Sequence, residues 1–558
     1  MAGMTAAVCL LTFSSCNDFL EILPMDKVVL ENYWTKKEDV TSVMFSCYEA
    51  LQSADNINRM GVWGELRSDN IVAGTGVSWQ MNDILKENLL PNNPYCSWAS
   101  MYSVINRCNT VIHYAPEVCQ KDPNYTEAEM KANVAEATTL RTLCYFYLMR
   151  AFRDVPYITQ PSIDDDQSFA VAATPFDELL GYLIADLQGV VGDAVRRYYT
   201  DESPSEYVNS SRITRWAVYS LLADLCLWKG DYVQASAYCD KVIEYKQQQY
   251  AERKQREGNL TDMQLFNDYP LILEKPTGTT LSGNAFTEIF GRGNSFESIF
   301  ELRYENGYTA VTNTYVSQYY GSLTTGGQFG APVFIFKGVA DGTNRETPYK
   351  KTDCRAYENA LNNSSRYRIA KYVYPSVTMN MNNISSESSL NRVFGVTSER
   401  IYSSWIIYRL TEVMLIKAEA ELLQGPAHFE TAFKLIDAVN RRANNIVTET
   451  SSDALKFADY SNDQLAMENL LFEERQREFI YEGKRWFDLV RMARRDGNTK
   501  RAVALISRKY EDNVSAIRIK LADPNIFYFP YAKDELRVNP LLHQNPAYTN
   551  GEDSELSR

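Results

Sequence analysis

EERQREFIYEGKRWFDLVR, residues 473–491, is the stretch on which the reading of this chain turns. Leu465, Leu470, Leu471 and Phe472 lead into it, and Phe479, Ile480, Trp486, Leu489 and Val490 resume the apolar stripe at spacings of three, four and seven. That period predicts a helix over 465–495 with one face in a core. Glu474, Glu478 and Glu482 fall at i, i+4 and i+8, where three carboxylates alone would repel one another. Arg475, Arg477, Lys484 and Arg485 lie close enough to interleave with them. The row is either a carboxylate site for acid–base chemistry or metal ligation, or an ion-pair network clamping the helix to its neighbours, and the density of arginine favours the clamp. Gly483 costs helix stability, which points to a second backbone passing close by or to a kink.

Outward from this helix, the chain is mostly amphipathic and helical. Helices are expected from residue 40 to 51, over 95–114 and over 128–153, the last stopped at Asp154-Val155-Pro156. In 212–245, Tyr219, Leu222, Ala223, Cys226, Gly230, Tyr232, Ala235, Cys239 and Val242 fall close to the offsets of a tetratricopeptide helix pair. A second such pair is read in 405–444 from Leu415, Ala418, Ala420, Gly425, Ala432 and Ile436. Each pair buries only part of its apolar face alone, so the pairs should stack into one scaffold spanning 40–245 and 396–495. Residues 246–395 differ in kind, rich in Gly, Asn, Ser, Thr and Tyr with short strand-like pieces such as SIFELRY, 298–304. The expected fold is therefore mainly α: helical pairs with a large loop-rich insertion, few short strands and a closing segment over 496–558.

With 558 residues and 45% hydrophobic content the chain can build a substantial core. A formal net charge of −14 argues against nucleic acid or an anionic membrane face as the main partner. The 37 Tyr, 24 Phe and 8 Trp exceed what a core needs, and fit a surface that stacks on sugars or packs peptides. Residues 1–15, MAGMTAAVCLLTFSS, form a short apolar run ending in small residues before Cys16, a signal-peptide pattern with a lipobox-like end. Cys16 would then carry the lipid anchor of the mature chain, residues 16–558. The eight cysteines from Cys47 to Cys354 contain no CxxC pair and fall mostly on apolar helical stripes, so buried thiols are expected.

Catalytic motifs are sparse. His113, His428 and His543 are scattered, which gives no basis for a histidine-rich metal site, and there is no GxSxG, P-loop, GxGxxG or HExxH. Binding chemistry is better represented. Asp69 and Asn70 in a loop, with Trp79 and Asn82 following, offer a flat apolar face beside amide and carboxylate groups, the combination that sugar rings ask for. Tyr308, Tyr319 and Tyr320 of the insertion are candidates to join them on one ligand face.

Two stretches carry a resemblance. EERQREFIYEGKRWFDLVR resembles the C-terminal helix of the SusD/RagB family, surface lipoproteins of Bacteroidetes nutrient-uptake systems, and IFYFPYAKDELRVNPLLHQNPAY, 526–548, resembles that family's closing segment, with a proline-bearing strand, an acidic turn and a QNP ending. The resemblance implies a tetratricopeptide-like fold, no catalysis and no cofactor. It also implies a lipid-anchored position on the outer membrane at the cell surface, with a SusC-like TonB-dependent barrel as partner, on which the protein sits as a hinged lid. The ligand it implies is an oligosaccharide in the better-known branch and an oligopeptide in the RagB-like branch. A third possibility, an all-helical glycoside hydrolase, would need the carboxylates of 474–482 exposed in a cleft.

The anchor reading is directly testable. Replacing Cys16 with alanine should release the protein from the membrane fraction, and a Cys16→Ala chain that still partitions with outer membrane would remove the lipid anchor from the account.

Overall fold

The computed structural model describes residues 33–549 apart from 164–169, 201–202, 278–279, 283, 306–310, 322–325, 340, 364–365, 374–375, 381–390, 396–401, 447–450 and 452. The helices that carry the scaffold are α1 (Lys37–Leu51), α2 (Ala99–Lys121), α3 (Glu127–Phe152), α4 (Phe176–Val190), α5 (Arg215–Lys229), α6 (Tyr232–Glu257), α7 (Leu410–Leu423), α8 (Phe429–Asn444), α9 (Gln464–Phe479) and α10 (Arg485–Asp496). From α1 to α9 each packs on the next, and α7 also packs on α9. The insertion falls between α6 and α7 without interrupting the stack.

Local chemistry sets the helix ends. Thr126 and Glu129 close a reciprocal capping box at the start of α3, with the Glu129 amide donating to Thr126 Oγ1 at 3.3 Å and the Thr126 amide to Glu129 at 3.0 Å. Gly230, at φ +82°, ends α5, and Asp231 caps α6 by accepting from the Gln234 amide at 3.2 Å. This two-residue turn makes α5 and α6 antiparallel neighbours, as the tetratricopeptide-like pattern of 212–245 requires. The second pattern, 405–444, is the α7/α8 pair preceded by a strand, Trp405–Arg409, which pairs antiparallel with Ser298–Leu302 of the insertion.

Several bounds differ from expectation. The helix α6 continues to Glu257, past the expected boundary at 245, and a further short helix, Ala54–Gly61, is capped by Ser53. The largest difference lies in 465–495, where α9 ends at Phe479 and α10 begins at Arg485. Between them Tyr481 and Gly483 adopt φ of +67° and +71°. A Cβ on Gly483 would lie 2.8 Å from the Trp405 ring, and a Cβ on Gly64 would lie 1.8 Å from the Gly483 carbonyl oxygen. Both a kink and a close backbone approach are therefore present, and they are the same feature. The segment opposite is a π-helical turn, Val62–Leu66, whose Glu65 carboxylate accepts the amides of Tyr481 at 3.1 Å, Gly483 at 3.0 Å and Lys484 at 3.2 Å. The Tyr481 and Gly483 amides belong to the linker and the Lys484 amide to the N-cap of α10, so Glu65 holds both the linker and the head of α10 from across the molecule. Burial pushes the Glu65 carboxyl up to about 7, against the Asn70 carboxamide and the backbone donors that hold it down.

The closing segment contains no strand at 526–531. It has a 3-10 turn, Pro524–Phe527, and a short helix, Lys533–Val538, and is held by side chains. Arg67 donates to Glu87 and to the carbonyls of Ile526 (2.7 Å) and Phe527 (3.1 Å), while Trp486 stacks on Phe527 with centroids 5.2 Å apart. The cysteines of the described residues are free thiols, all buried except the half-buried Cys119.

The glutamate row is a buried clamp. Glu474, Glu478 and Glu482 are at most 3% exposed. Glu478 accepts from Arg355 (2.8 Å), Arg409 (2.6 Å) and Arg442 (2.5 Å); Glu474 accepts from Arg355 and Arg477; Glu482 accepts from Arg409 and Lys371. Against the cost of burial, the surrounding guanidinium groups hold the Glu478 carboxyl well below the usual carboxylate range. A parallel pair ties α9 to α10, where Asp488 accepts from Arg475 twice at 2.8 Å and from Arg491 at 2.9 Å.

Glu478→Gln should lower stability by about 3–5 kcal/mol, because removing one partner leaves three buried guanidinium groups short of charge. Chemical denaturation of the two proteins measures it, and a loss under about 1 kcal/mol would mean that the network is not the clamp. The acid limb follows from Asp488, which Arg475 and Arg491 hold down to about 2 despite burial. A depressed folded value gives a contribution present above about pH 4 and lost as pH falls through 2, about 2 kcal/mol in all. Asp488→Asn should remove that part of the acid-unfolding slope.

Candidate functional site

A cleft of about 1160 Å³ opens where three parts of the chain meet: residues 71–88, residues 330–346 of the insertion with Tyr367, and residues 508–520. The insertion is fixed there by backbone. Val72–Ala73 pairs antiparallel with Phe329–Gly330, the Gly74 amide donates to the Gln328 carbonyl at 2.7 Å, and the Ala331 amide donates to the Tyr367 carbonyl at 2.9 Å. Gly74 is required at this crossing, since a Cβ there would stand 2.6 Å from the Gly327 oxygen. Ser78 then starts a short helix, Trp79–Leu85, by accepting the Met81 amide at 3.3 Å, while its own amide donates to the Gln328 side chain at 3.3 Å.

That helix presents the aromatic and amide groups singled out by sequence. Trp79 is 61% exposed, an unusual cost for the largest apolar side chain, and Asn82, one turn on, lines the cleft together with Lys86. Among the described residues no protein group takes up the Asn82 carboxamide, so its donors and acceptor face the cleft.

The other candidates fall elsewhere. Asp69 is fully buried and holds Arg485 at 2.9 and 3.0 Å while accepting from Gln476 at 3.1 Å. It belongs to the clamp at the head of α10, and no ligand face reaches it. Tyr319 is buried, stacked on Phe329 at 4.8 Å with its hydroxyl 2.7 Å from that of Tyr95. Tyr320 is buried too, donating to the Tyr481 carbonyl at 2.8 Å. Both tyrosines dock the insertion onto the scaffold instead of lining a ligand face. Tyr308 and Cys16 lie outside the described residues.

The cleft also has walls that sequence reasoning did not find. Val333 and Phe334 project from a short helix that starts after Pro332, and Phe334 carries the Arg508 guanidinium 4.5 Å from its ring centre. Lys509 donates to the carbonyls of Leu66 (3.2 Å) and Ser68 (2.7 Å), and burial lowers its ammonium to about 8. The Tyr510 hydroxyl donates to the Leu85 carbonyl at 2.9 Å, joining the 508–520 wall to the Trp79 helix. Lys86, Lys337 and Lys520 line the cleft and enter no ion pair among the described residues. Apolar surface, an amide, lysines and the carboxylates of Glu346, Glu511 and Asp512 converge here, an arrangement suited to binding a polyhydroxylated ligand. The carboxylates that a glycosidase reading would use, Glu474 to Glu482, are sealed in the clamp and cannot meet a substrate.

Comparisons with known proteins agree with this architecture. A family model described as the SusD family matches residues 291–548, and one described as starch-binding associating with outer membrane matches residues 18–227. SusD-like protein P38 of Formosa agariphila is 23% identical over 491 residues, covering 86% of this chain and 88% of its own length. A SusD superfamily protein from Bacteroides thetaiotaomicron superposes with a TM-score of 0.66 at 17% identity, covering 92% of this chain and 100% of that one. A laminarin-binding SusD-like protein superposes with a TM-score of 0.59 at 19% identity, covering 92% and 100%. No helix of the described residues is long and apolar enough to cross a membrane.

Proposed function

The chain belongs to the SusD/RagB family, and from that premise we propose that it captures oligosaccharide at the face formed by Trp79, Asn82 and the adjoining cleft, and delivers it to a SusC-like TonB-dependent barrel in the outer membrane. The observation that carries this is the exposed indole of Trp79 one helical turn from an unengaged carboxamide. A sugar ring has an apolar C–H face and equatorial hydroxyls, so it stacks on the first while exchanging hydrogen bonds with the second. The helix bearing both is pinned at its start to the insertion through Ser78 and Gln328, so little ordering is left for the ligand to drive. The laminarin-binding neighbour, which shares the fold, supports a carbohydrate as the ligand class.

Delivery, anchoring at the cell surface through Cys16 and the barrel partner rest on family membership. Co-purification of the chain with the barrel made alongside it would test the partnership, and a chain that elutes alone from gently solubilised membranes would count against it. A peptide ligand remains the second reading. In its favour, Lys86, Lys337 and Lys520 could receive the carboxylates of a short peptide.

Trp79→Ala should weaken capture by about tenfold to a hundredfold, the loss of roughly 1–3 kcal/mol of ring burial, with the melting temperature unchanged because the side chain supports no core. Calorimetry against a panel of oligosaccharides and oligopeptides decides between the readings. Unchanged affinity for the best ligand would remove Trp79 from the site, and a response to peptides alone would replace the glycan reading.

A further inference from the structure

Away from the cleft, in the seam between the insertion and the scaffold, Glu274, Cys354 and Glu358 bring their ligand atoms within 4.8 Å of one another. All three are buried, at 5%, 0% and 2% exposure. Cys354 and Glu358 stand at i and i+4 around the short helix Arg355–Glu358, which puts them on one face, and Glu274 comes from the chain just before the strand Lys275–Thr277. A cavity of about 20 Å³ lies among them, room for one water or one ion.

The neighbouring charges make this cluster unusual. Arg355, Lys371, Arg409, Arg442 and Arg477 are matched within the buried network by Asp353, Glu297, Glu474, Glu478 and Glu482. Glu274 and Glu358 enter no ion pair among the described residues, and Arg442, the cation that acts on both, is already paired with Glu297 and Glu478. Glu274 Oε1 accepts a long bond of 3.3 Å from the Phe286 amide, the Ala285 amide also faces this carboxyl, and among the described residues Glu274 Oε2 and Glu358 Oε1 have no hydrogen-bond partner within normal reach. A buried carboxylate oxygen without a hydrogen-bond donor is costly enough that natural proteins rarely keep one, and here two stand together.

We propose that Glu274, Cys354 and Glu358 hold a divalent transition-metal cation, Zn²⁺ foremost, as a structural site that fastens two distant segments of the insertion, near 274 and near 354–358, to each other where they meet the scaffold. One thiolate and two carboxylates suit a borderline-soft ion, whereas Ca²⁺ and Mg²⁺ ask for oxygen ligands throughout. On binding, the metal forms one bond to Cys354 Sγ and one to an oxygen of each carboxylate; the thiol proton, now donated to the Ala443 carbonyl at 3.0 Å, and any proton held by the carboxyl pair leave to solvent. The ion supplies the charge that the pair lacks. Burial pushes the Glu358 carboxyl up to about 8, and burial together with the Glu358 charge pushes Glu274 well above the ordinary range, so protons are the metal's competitors.

Elemental analysis of the full-length chain, expressed with zinc and freed of loose metal by desalting, should find about one equivalent of Zn²⁺. Stripping with a chelator should lower the melting temperature, and Zn²⁺ but not Ca²⁺ or Mg²⁺ should restore it. The double variant Glu274→Gln with Glu358→Gln removes the excess charge, so it should fold, bind no zinc and melt alike with or without chelator. Should that variant fail to fold, the wild-type chain still decides. Loaded with Co²⁺ it should show a thiolate-to-metal charge-transfer band that Cys354→Ser abolishes. A wild-type chain that retains less than about a tenth of an equivalent and whose melting ignores Zn²⁺ would overturn the proposal in favour of a shared proton. So would a Co²⁺ band that survives in Cys354→Ser, since the metal would then sit elsewhere.

Discussion

Glu478 receives three guanidinium groups from three separate parts of the chain: Arg355 from the insertion, Arg409 from the strand that leads into α7, and Arg442 from the end of α8. Hydrophobic contacts could press the same elements together, but they would tolerate sliding by a fraction of a turn. A carboxylate shared among planar, fork-shaped donors does not, because each hydrogen bond loses its geometry within a few tenths of an ångström. The network contributes little net stability over a well-packed apolar core, and its effect is positional. It sets the insertion at one height and one angle on the helical stack.

The proposed binding face depends on that setting. Its parts come from residues near 79, near 333 and near 510, and none of these segments has a core of its own. The scaffold supplies it. The insertion reaches the Trp79 helix through a two-residue pairing and the Gln328 side chain, and behind that contact Tyr319 and Tyr320 are sunk into the scaffold next to Tyr95 and Tyr481. An exposed ring on a mobile loop would lose affinity to ordering on every encounter; here the ordering is completed during folding.

How much of this was legible depended on periodicity and bulk. The α5/α6 pair was readable because its apolar and small residues recur at helical spacing around a Gly-Asp turn; the arginines beside Glu478 correctly suggested a clamp, but its partners, Arg355, Arg409 and Arg442, come from elsewhere in the chain, and of the local cations only Arg477 joins the glutamate row. The break at 480–484 was legible only through Gly483, which pointed to a kink or a close backbone approach; that two separate helices lie on either side was not, since the apolar stripe keeps nearly the same phase across it. Trp79 and Asn82 share a helix turn, and local spacing was enough to pair them. Asp69 shows the limit of that logic. Nothing near it in sequence reveals Arg485 as its partner, and a carboxylate in a Ser-Asp-Asn stretch looks the same whether it meets solvent or a buried guanidinium. Tyr319 and Tyr320 failed for the related reason that a loop-like composition does not distinguish a tyrosine facing water from one docked on the scaffold. The 508–520 wall gave only an ordinary amphipathic pattern, VSAIRIK, in which Ile519, at 77% exposure, cannot be told from core.

The Glu65 cap on α10 joins residues 416 and 419 positions apart in the sequence. Until the last fifth of the chain is available, Glu65 has no amides to receive, Asp69 has no Arg485, and Arg67 has no carbonyls at 526 and 527. The amino-terminal helices can form early from local contacts, but the polar groups that will face this seam must wait in water, and the apolar surface around them waits with them. Closing such a loop late is slow compared with forming any hairpin of the stack. A chain synthesised from its amino terminus therefore spends its most aggregation-prone interval with the two ends of one core apart, and the rate at which the carboxyl-terminal segment arrives sets how long that interval lasts.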